Sequence, residues 1–264
     1  MIENRNTDFN KDKMKYDEKC RRQLKMVLKN TIKNGVSVYF NQANGMKYVG
    51  KTIESSRMTI ENNILDICKG CPYIIDNCFV QVVENTDTLM MPFFEFGDVY
   101  DACLRKLLPS QIRRISQQVL LALKYMHQRS VIHRDIKPAN VVLTNSSCYF
   151  DVKVIDFGTA AIFETNSPPT DRVGTPNYAA PEVFKRMAQS SKSDIWSFGV
   201  MIYAITALKV PFTTTGNFDI SSISYEHSHF KSNPALVDFL KSIFKINPNQ
   251  RPSAETLLQH DWVR

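Results

Sequence analysis

Two short segments in the second half of the chain carry side chains that could together handle a phosphate group. Residues 133–140 bring a carboxylate, an ammonium group and an amide into one loop, at Asp135, Lys137 and Asn140. Asp156 follows directly after a short, mostly apolar run that is typical of a strand. A carboxylate can orient a hydroxyl and accept its proton, a lysine can stabilise a γ-phosphate, and amide and carboxylate oxygens suit Mg²⁺. The two segments therefore predict phosphoryl transfer.

The sequence around these segments predicts a mostly helical second half. An amphipathic helix is predicted from Pro109 to about Gln128, because apolar residues recur there at helical spacing. Its apolar side would consist of Ile112, Ile115, Val119, Leu120, Leu123 and Met126. Residues 193–208 predict a second, more apolar and buried helix, and residues 235–244 and 253–259 predict shorter helices.

The first half of the chain is instead rich in predicted strands. Residues 36–40 and 46–53 predict a hairpin around an Asn-Gly turn, and residues 78–83 and 89–93 predict two further strands. A β-rich smaller lobe followed by a helical larger lobe, divided near residues 94–97, is the simplest architecture. A cleft between such lobes would be the natural ligand site.

One helix is predicted within this β-rich half. Ser55 and Ser56 can cap a helix that runs to about Cys68. Its apolar stripe would consist of Ile60, Ile64, Leu65 and Ile67.

Composition excludes several classes of protein. The 264 residues are 43% hydrophobic and 22% charged, which is ordinary for a globular chain and unlike disordered, collagenous or coiled-coil sequences. The net charge of +7 permits an acidic ligand such as a nucleotide, but the sequence contains no basic block typical of a nucleic-acid-binding arm. Cys68 and Cys71 have the spacing of half a zinc site, but no second such pair is present.

Asp156-Phe-Gly158, taken with residues 133–140, resembles the eukaryotic-type serine/threonine protein kinase family. Three further segments resemble motifs of this family and follow in the family's order: Gly174–Glu182, Asp194–Gly199 and Asn247–Ser253. The resemblance covers the chain from about residue 27 to residue 262.

The resemblance implies an α+β, bilobal protein-kinase-like fold, with a β-rich N-lobe that contains one main helix and a mostly helical C-lobe. The single catalytic domain would comprise an N-lobe at 27–93 and a C-lobe at 94–264, after an N-terminal extension at 1–26. No regulatory tail, interaction domain or membrane anchor is expected beyond the final helix.

The resemblance also implies catalytic roles for the residues named first. Asp135 would be the general base and Lys137 would stabilise the γ-phosphate, while Asn140 and Asp156 would bind the metal ion. The cofactors would be ATP and Mg²⁺, with Mn²⁺ as a substitute. The chain would transfer phosphate to Ser/Thr hydroxyls of protein substrates.

In the smaller lobe, the resemblance implies that Lys51 contacts the α- and β-phosphates and that Glu61 is its ion-pair partner. The adenine pocket would be formed by Val38, Val49, Met91, Pro92, Phe94 and Val142. The family's glycine-rich phosphate loop is the main departure, because residues 30–37 contain only Gly35. We expect residues with Cβ atoms to hold this loop farther from phosphate, and ATP binding to be weaker or differently shaped.

Further positions would have docking, structural or regulatory roles. Thr175 would complete the site around the substrate hydroxyl, and Asp98 would favour basic residues in the substrate. His133 would pack under Phe157, and Arg134 would receive a phosphate placed on the activation segment. The acceptors for that phosphate would be Thr165, Ser167 or Thr170, and an unphosphorylated segment is an equal alternative.

The resemblance implies that an ion pair joins two of the motifs in the larger lobe. Arg251 would pair with Glu182, the last residue of the Ala-Pro-Glu motif.

A second hypothesis is a pseudokinase, a scaffold or regulatory binding module with weak nucleotide binding. The glycine-poor loop favours it, whereas the retention of Lys51, Asp135, Asn140 and Asp156 argues against it.

The compact chain and its irregular smaller lobe resemble kinases of large DNA viruses, baculovirus-type ones in particular, in overall character rather than in any motif. Scattered cysteines and the lack of a signal sequence or a membrane-length apolar run predict an intracellular location, in the cytoplasm, the nucleus or both. That location would be a host cell if the chain is viral. The physiological substrate and the oligomeric state do not follow from the sequence.

Overall fold

The structure, a computed structural model, describes residues 26–33, 35–145, 150–164, 166–212 and 218–264. The hypotheses about the N-terminal extension before residue 26 and about Thr165 lie outside the described residues, as do the side chains of Lys33 and Ser55. The described chain divides into two compact units. The sheet unit contains the residues up to Ser55 together with Asn77–Phe93, and the helical unit contains Ser56–Asp76 and Phe94–Arg264.

The sheet unit contains an antiparallel sheet with the strand order β1-β2-β3-β5-β4. Its strands are β1 (Met26–Lys33), β2 (Val36–Asn41), β3 (Lys47–Thr52), β4 (Phe79–Val83) and β5 (Thr86–Pro92). The predicted hairpin of β2 and β3 is confirmed, and the two further predicted strands pair as β4 and β5. Glu84 and Asn85, between β4 and β5, both have positive φ, as the tight turn of a two-residue hairpin requires.

Strand β1 is a difference from the sequence prediction, which expected a phosphate loop over residues 30–37. The strand continues to Lys33, and the chain reverses at Gly35, whose φ of +74° favours glycine. The carbonyl of Gly35 accepts a hydrogen bond of 2.7 Å from the amide of Thr52. The turn is therefore held against the end of β3.

One face of the sheet carries a small aromatic core. Tyr39 and Tyr48 lie directly opposite each other on β2 and β3 and are buried with Met90. The ring of Phe79 meets that of Tyr48 edge to face, with centroids 5.5 Å apart. Gly50 leaves room for this packing, because a Cβ there would overlap the ring of Tyr39.

Helix α1 (Ser55–Ile67) lies in the helical unit from Ser56 onward and matches the predicted helix in extent, and two residues of its predicted apolar stripe, Ile64 and Leu65, are buried. Ile60 and Ile67 were expected in the buried stripe, but they are 55% and 37% exposed. The buried side is formed by Met58, Glu61, Ile64, Leu65 and Cys68. Because the charged residue Glu61 lies on the buried side, the spacing of apolar residues alone does not identify that side of the helix.

This orientation predicts unequal effects of two matched substitutions on α1. Ile64→Ala is expected to lower the free energy of unfolding by about 2–5 kcal/mol, because it leaves a cavity at a buried site. Ile60→Ala removes the same atoms from an exposed site and should change it by about 0.5 kcal/mol or less. Urea denaturation of both variants measures the difference, and equal losses would contradict the assigned orientation.

Seven further α-helices lie in the described part of the helical unit. They are α2 (Val99–Cys103), α3 (Pro109–His127), α4 (Pro181–Phe184), α5 (Ser191–Ala207), α6 (Ser228–Lys231), α7 (Pro234–Ile243) and α8 (Ala254–Leu257). The predicted apolar side of α3 is confirmed, because all six of its residues are buried. Helix α5 is buried on nearly every side, as predicted, whereas α8 is shorter than the predicted helix.

Two short antiparallel strand pairs lie among these helices. Strand β6 (Val131–Ile132) pairs with β9 (Ala161–Ile162), and β7 (Val141–Leu143) pairs with β8 (Val152–Val154). The loop after β6 and the ends of β7 and β8 carry the residues expected to do chemistry. Within the described ranges, no helix is both long and apolar enough to cross a bilayer.

Candidate active site

One buried carboxylate, that of Asp194, holds the loop after β6 through hydrogen bonds. Asp194, in the first turn of α5, accepts hydrogen bonds from the amides of His133 and Arg134 at 2.9 and 2.8 Å. Its Oδ2 also lies 2.9 Å from Nε2 of His127, at the end of α3. These bonds fix a strained stretch of backbone, because Arg134 has φ +67°.

The protonation of Asp194 follows from these contacts. Burial by itself would raise the pKa of this carboxyl, but the hydrogen bond from His127 and the nearby histidine charges lower the pKa below its usual range. Asp194 is therefore held as a carboxylate, which can accept both backbone bonds.

Asp135 lies at the centre of a cluster of four polar side chains. Its Oδ1 accepts hydrogen bonds from the amide and the hydroxyl of Thr175, at 2.8 and 2.7 Å. Its Oδ2 accepts from Nζ of Lys137 at 2.7 Å and from Nδ2 of Asn140 at 3.0 Å. Nζ of Lys137 also donates to the Thr175 hydroxyl at 2.6 Å. The structure thus brings together four of the predicted site residues.

Gly174 makes the approach of Thr175 possible, a role that the sequence interpretation missed. Its φ is +87°, and a Cβ at this position would overlap the carbonyl oxygen of Arg134. Only glycine allows the backbone to pass this close to the loop. The signal available in the sequence was a glycine immediately before Thr175.

Asn140 and Asp156 lie at the same end of the β7–β8 pair. Val141 pairs with Val154, and the amide of Ile155 donates to the carbonyl of Asn140 at 2.9 Å. Asp156 has φ +61°, at the turn into the 3₁₀ segment Phe157–Thr159. The backbone therefore places the two predicted metal ligands next to each other.

The donors at this end of the pair fit Mg²⁺. The Asn140 amide nitrogen bonds to the carbonyl and carboxylate of Asp135, so the amide oxygen is the atom that could ligate a metal. Mg²⁺ is bound by one or two protein oxygens together with phosphate oxygens rather than by a dedicated protein cage. No group of three or more His, Cys, Asp or Glu residues suited to a metal occurs in the described parts of the chain.

His133 and Phe157 are in contact beneath this site. Their rings meet edge to face, with centroids 4.9 Å apart, and both side chains are buried. Nε2 of His133 lies 3.0 Å from the carbonyl of Ile155. This contact joins the loop after β6 to the turn that contains Asp156 and Phe157.

In the sheet unit, four of the five predicted nucleotide-contacting residues share one face of the sheet. Val38 lies opposite Val49, and Val49 lies opposite Met91. Lys51 points to the same side, because it lies two residues after Val49 on β3. Pro92, the next residue after Met91, faces the other side, opposite Tyr48.

The remaining residues predicted for the nucleotide site belong to the helical unit. Glu61 is buried on α1, and Val142 is buried on β7, where it bridges to Asp98. Phe94 is the first residue of the final segment of this unit.

The sequence matches a known protein family over most of its length. The match is to the family described as "Protein kinase domain", and it covers residues 33–263. The chain belongs to the protein kinase family. The α+β fold that the sequence predicted is thereby confirmed.

This kinase domain is similar to curated proteins that are named as protein kinases, two of them as serine/threonine-protein kinases. It is 28% identical over 223 residues to serine/threonine-protein kinase 17A of Oryctolagus cuniculus, covering 80% of this chain and 56% of that protein. It is 29% identical to a death-associated protein kinase related protein of Drosophila melanogaster, covering 80% of this chain and 33% of the relative. A calcium/calmodulin-dependent serine/threonine-protein kinase of Malus domestica is 25% identical, covering 81% and 54%. The kinase domain thus spans between a third and just over half of each relative's length.

The predicted docking position of the kinase domain caps a helix. Oδ1 of Asp98 accepts the amide of Asp101 at 2.9 Å, at the start of α2. Burial raises the pKa of Asp98, and the charge of Asp101 adds to this effect. Its role in substrate recognition stays a prediction.

The predicted pairing between two late kinase motifs is present as a buried, bidentate contact. Nη1 and Nη2 of Arg251 donate to the two carboxylate oxygens of Glu182 at 2.7 and 2.8 Å. Ser193 donates to Glu182 as well, at 2.8 Å. This pair joins the Ala-Pro-Glu motif to the C-terminal part of the unit.

Proposed function

We propose that the chain is an active serine/threonine protein kinase, which transfers the γ-phosphate of Mg-ATP to Ser/Thr hydroxyls of protein substrates. The single observation that carries the proposal is the cluster of Asp135, Lys137, Asn140 and Thr175. A scaffold has no physical need to hold a carboxylate, an ammonium group and a hydroxyl within hydrogen-bonding distance of one another.

Each member of the cluster has a defined task in this reaction. Asp135 orients the acceptor hydroxyl and takes its proton, while Lys137 lies between Asp135 and Thr175 and stabilises charge on the transferred group. Asn140 and Asp156 would hold Mg²⁺, which when bound neutralises charge on the phosphate oxygens. Lys51 would contact the α- and β-phosphates.

Specificity for Ser/Thr is supported by the bond from Lys137 to the Thr175 hydroxyl and by the names of the relatives. Thr175 occupies the space beside Asp135 that an aliphatic hydroxyl would approach. Basic protein substrates are proposed from Asp98. The intracellular location and the viral origin stay predictions.

The pseudokinase alternative is favoured by one observation, the turn before β2. Gly35 is the single glycine of residues 30–37, and β1 continues into this stretch as far as Lys33. A phosphate-covering loop built this way has fewer positions at which the backbone can approach an anion closely.

One paired experiment separates the two functions. The melting temperature of the chain is measured with and without Mg-ATP, and transfer of ³²P from γ-labelled ATP to a basic protein is measured on the same preparation. We expect a rise in melting temperature and label on serine and threonine. The Lys51→Met variant controls for a co-purifying kinase and should lose the transfer. Binding without transfer would support the scaffold, and label confined to tyrosine would contradict the proposed specificity.

A further inference from the structure

The activation segment, residues 166–175, contacts other parts of the helical unit just before Thr175. Gln189 is fully buried, and its side-chain Nε2 donates to the carbonyl of Asp171 at 2.6 Å. Its backbone amide donates to the carbonyl of Pro169 at 2.9 Å. The guanidinium of Arg172 lies over the ring of Phe184, 4.2 Å from its centroid. The path of residues 169–172 is therefore set by several contacts.

Arg134 provides the charged contact of this segment. Its side chain is only 10% exposed, and its Nε donates to the carbonyl of Thr159 at 2.6 Å. Its Nη1 donates to Oδ1 of Asp171 at 2.5 Å. A guanidinium removed from water this far requires a negative partner, and the carboxylate of Asp171 supplies it from within the chain.

This ion pair is coupled to the active site through the backbone of Arg134. Its amide is held by Asp194, and its carbonyl lies against Gly174, the residue before Thr175. The next residue in the chain is Asp135, which accepts both hydrogen bonds from Thr175. Loss of the contact between Asp171 and Arg134 would therefore weaken the contacts that hold Thr175 against Asp135.

We propose that Asp171 is a positioning residue whose carboxylate occupies Arg134 and orders the activation segment in the unphosphorylated chain. The hydroxyls of Ser167 and Thr170 are on exposed residues, and neither is needed as a phosphate carrier for this purpose. The consequence for catalysis rests on the proposed kinase function, whereas the ordering of the segment does not.

Amide hydrogen exchange of the full chain tests the ordering directly. The chain is treated with phosphatase, and intact mass establishes that it carries no phosphate. We expect the amides of residues 170–175, including that of Thr175, which donates to Asp135, to be protected in the wild type and to exchange about tenfold faster or more in the Asp171→Asn variant, which has lost the charge. The Asp171→Glu variant should recover part of the protection.

A matched control separates this effect from a general loss of a surface ion pair. Asp238 is exposed and lies 3.2 Å from Nε2 of His260. The Asp238→Asn variant should leave exchange of the activation segment at the wild-type rate. If Asp171→Asn behaved like Asp238→Asn, or if the wild-type segment became protected only after phosphorylation of Ser167 or Thr170, the proposal would be overturned.

Kinetics provide the second readout. Phosphatase treatment should leave wild-type transfer unchanged, and Asp171→Asn should lower kcat/KM for the protein acceptor by about 10–100-fold with the KM for ATP nearly unchanged. An equal loss for ATP and acceptor would indicate a merely structural role. If the wild type transferred no phosphate at all, the proposed function would fail, and exchange would still decide whether Asp171 orders the segment.

Discussion

Replacement of Asp135 by asparagine is expected to slow phosphate transfer by about 10²–10⁴-fold, because the amide cannot accept the proton of the substrate hydroxyl. The surrounding bonds add to the effect. Both carboxylate oxygens accept from donors, namely Thr175 on one side and Lys137 with Asn140 on the other. Either orientation of an asparagine amide would place its NH₂ group against one of these donors.

Single-turnover transfer from γ-labelled ATP measures this effect, and the Mg-ATP-induced melting shift of the variant should stay close to that of the wild type. Asp151→Asn is the matched control, since Asp151 accepts from Arg114, Gln118 and Asn145 on the other side of the β7–β8 pair. The control should retain transfer. A wild-type rate in Asp135→Asn would remove Asp135 from its assigned role as the base.

The Glu182–Arg251 pair is expected to dominate the stability of the C-terminal part of the chain. Glu182→Gln should lower the free energy of unfolding by about 3–5 kcal/mol, because it leaves the Arg251 charge buried without a counter-charge. Arg251 is 1% exposed, and its guanidinium lies 4.9 Å from the ring of Trp196. The remaining donors of the Arg251 guanidinium bond to the carbonyls of Lys245, Lys192 and Ile246, so the protein replaces water as its hydrogen-bonding partner.

Urea denaturation gives this difference, and an exposed pair provides the control. Glu226 lies 2.7 Å from Lys231, and both side chains are largely exposed, so Glu226→Gln should lower the free energy of unfolding far less than Glu182→Gln does. Replacing both partners by apolar residues, as in Glu182→Leu with Arg251→Met, should cost less than Glu182→Gln alone. If Glu182→Gln lowered the free energy of unfolding by less than Glu226→Gln, the importance of the buried pair would be contradicted.

The sequence was sufficient where side-chain type and spacing alone determine the outcome. The apolar side of α3 could be predicted because every third or fourth residue is apolar and none of its inward positions carries a charge. The cluster of Asp135, Lys137 and Asn140 could be predicted because the three residues lie within one short loop. Most backbone conformations of such a short loop keep its side chains close together.

Tertiary contacts decided the features that the sequence did not reveal. Helix α1 buries Glu61 rather than Ile60, an arrangement that a count of apolar residues cannot anticipate. Strand β1 contains lysine, asparagine and threonine, and its pairing with β2 determines its conformation more than its composition does. Asp171 is one exposed acidic residue in a polar segment, and its meaning depends on the distant Arg134.

The central claim is that Asp135, Asn140 and Asp156 of the helical unit act on the phosphates of one bound Mg-ATP. A crystal structure of the chain with Mg²⁺ and a non-hydrolysable ATP analogue tests it most directly. We expect the side-chain oxygens of Asn140 and Asp156 on the metal, Nζ of Lys51 on the α- and β-phosphates, and Asp135 facing the γ-phosphate. A nucleotide bound elsewhere, or a metal held without Asn140 and Asp156, would contradict the claim.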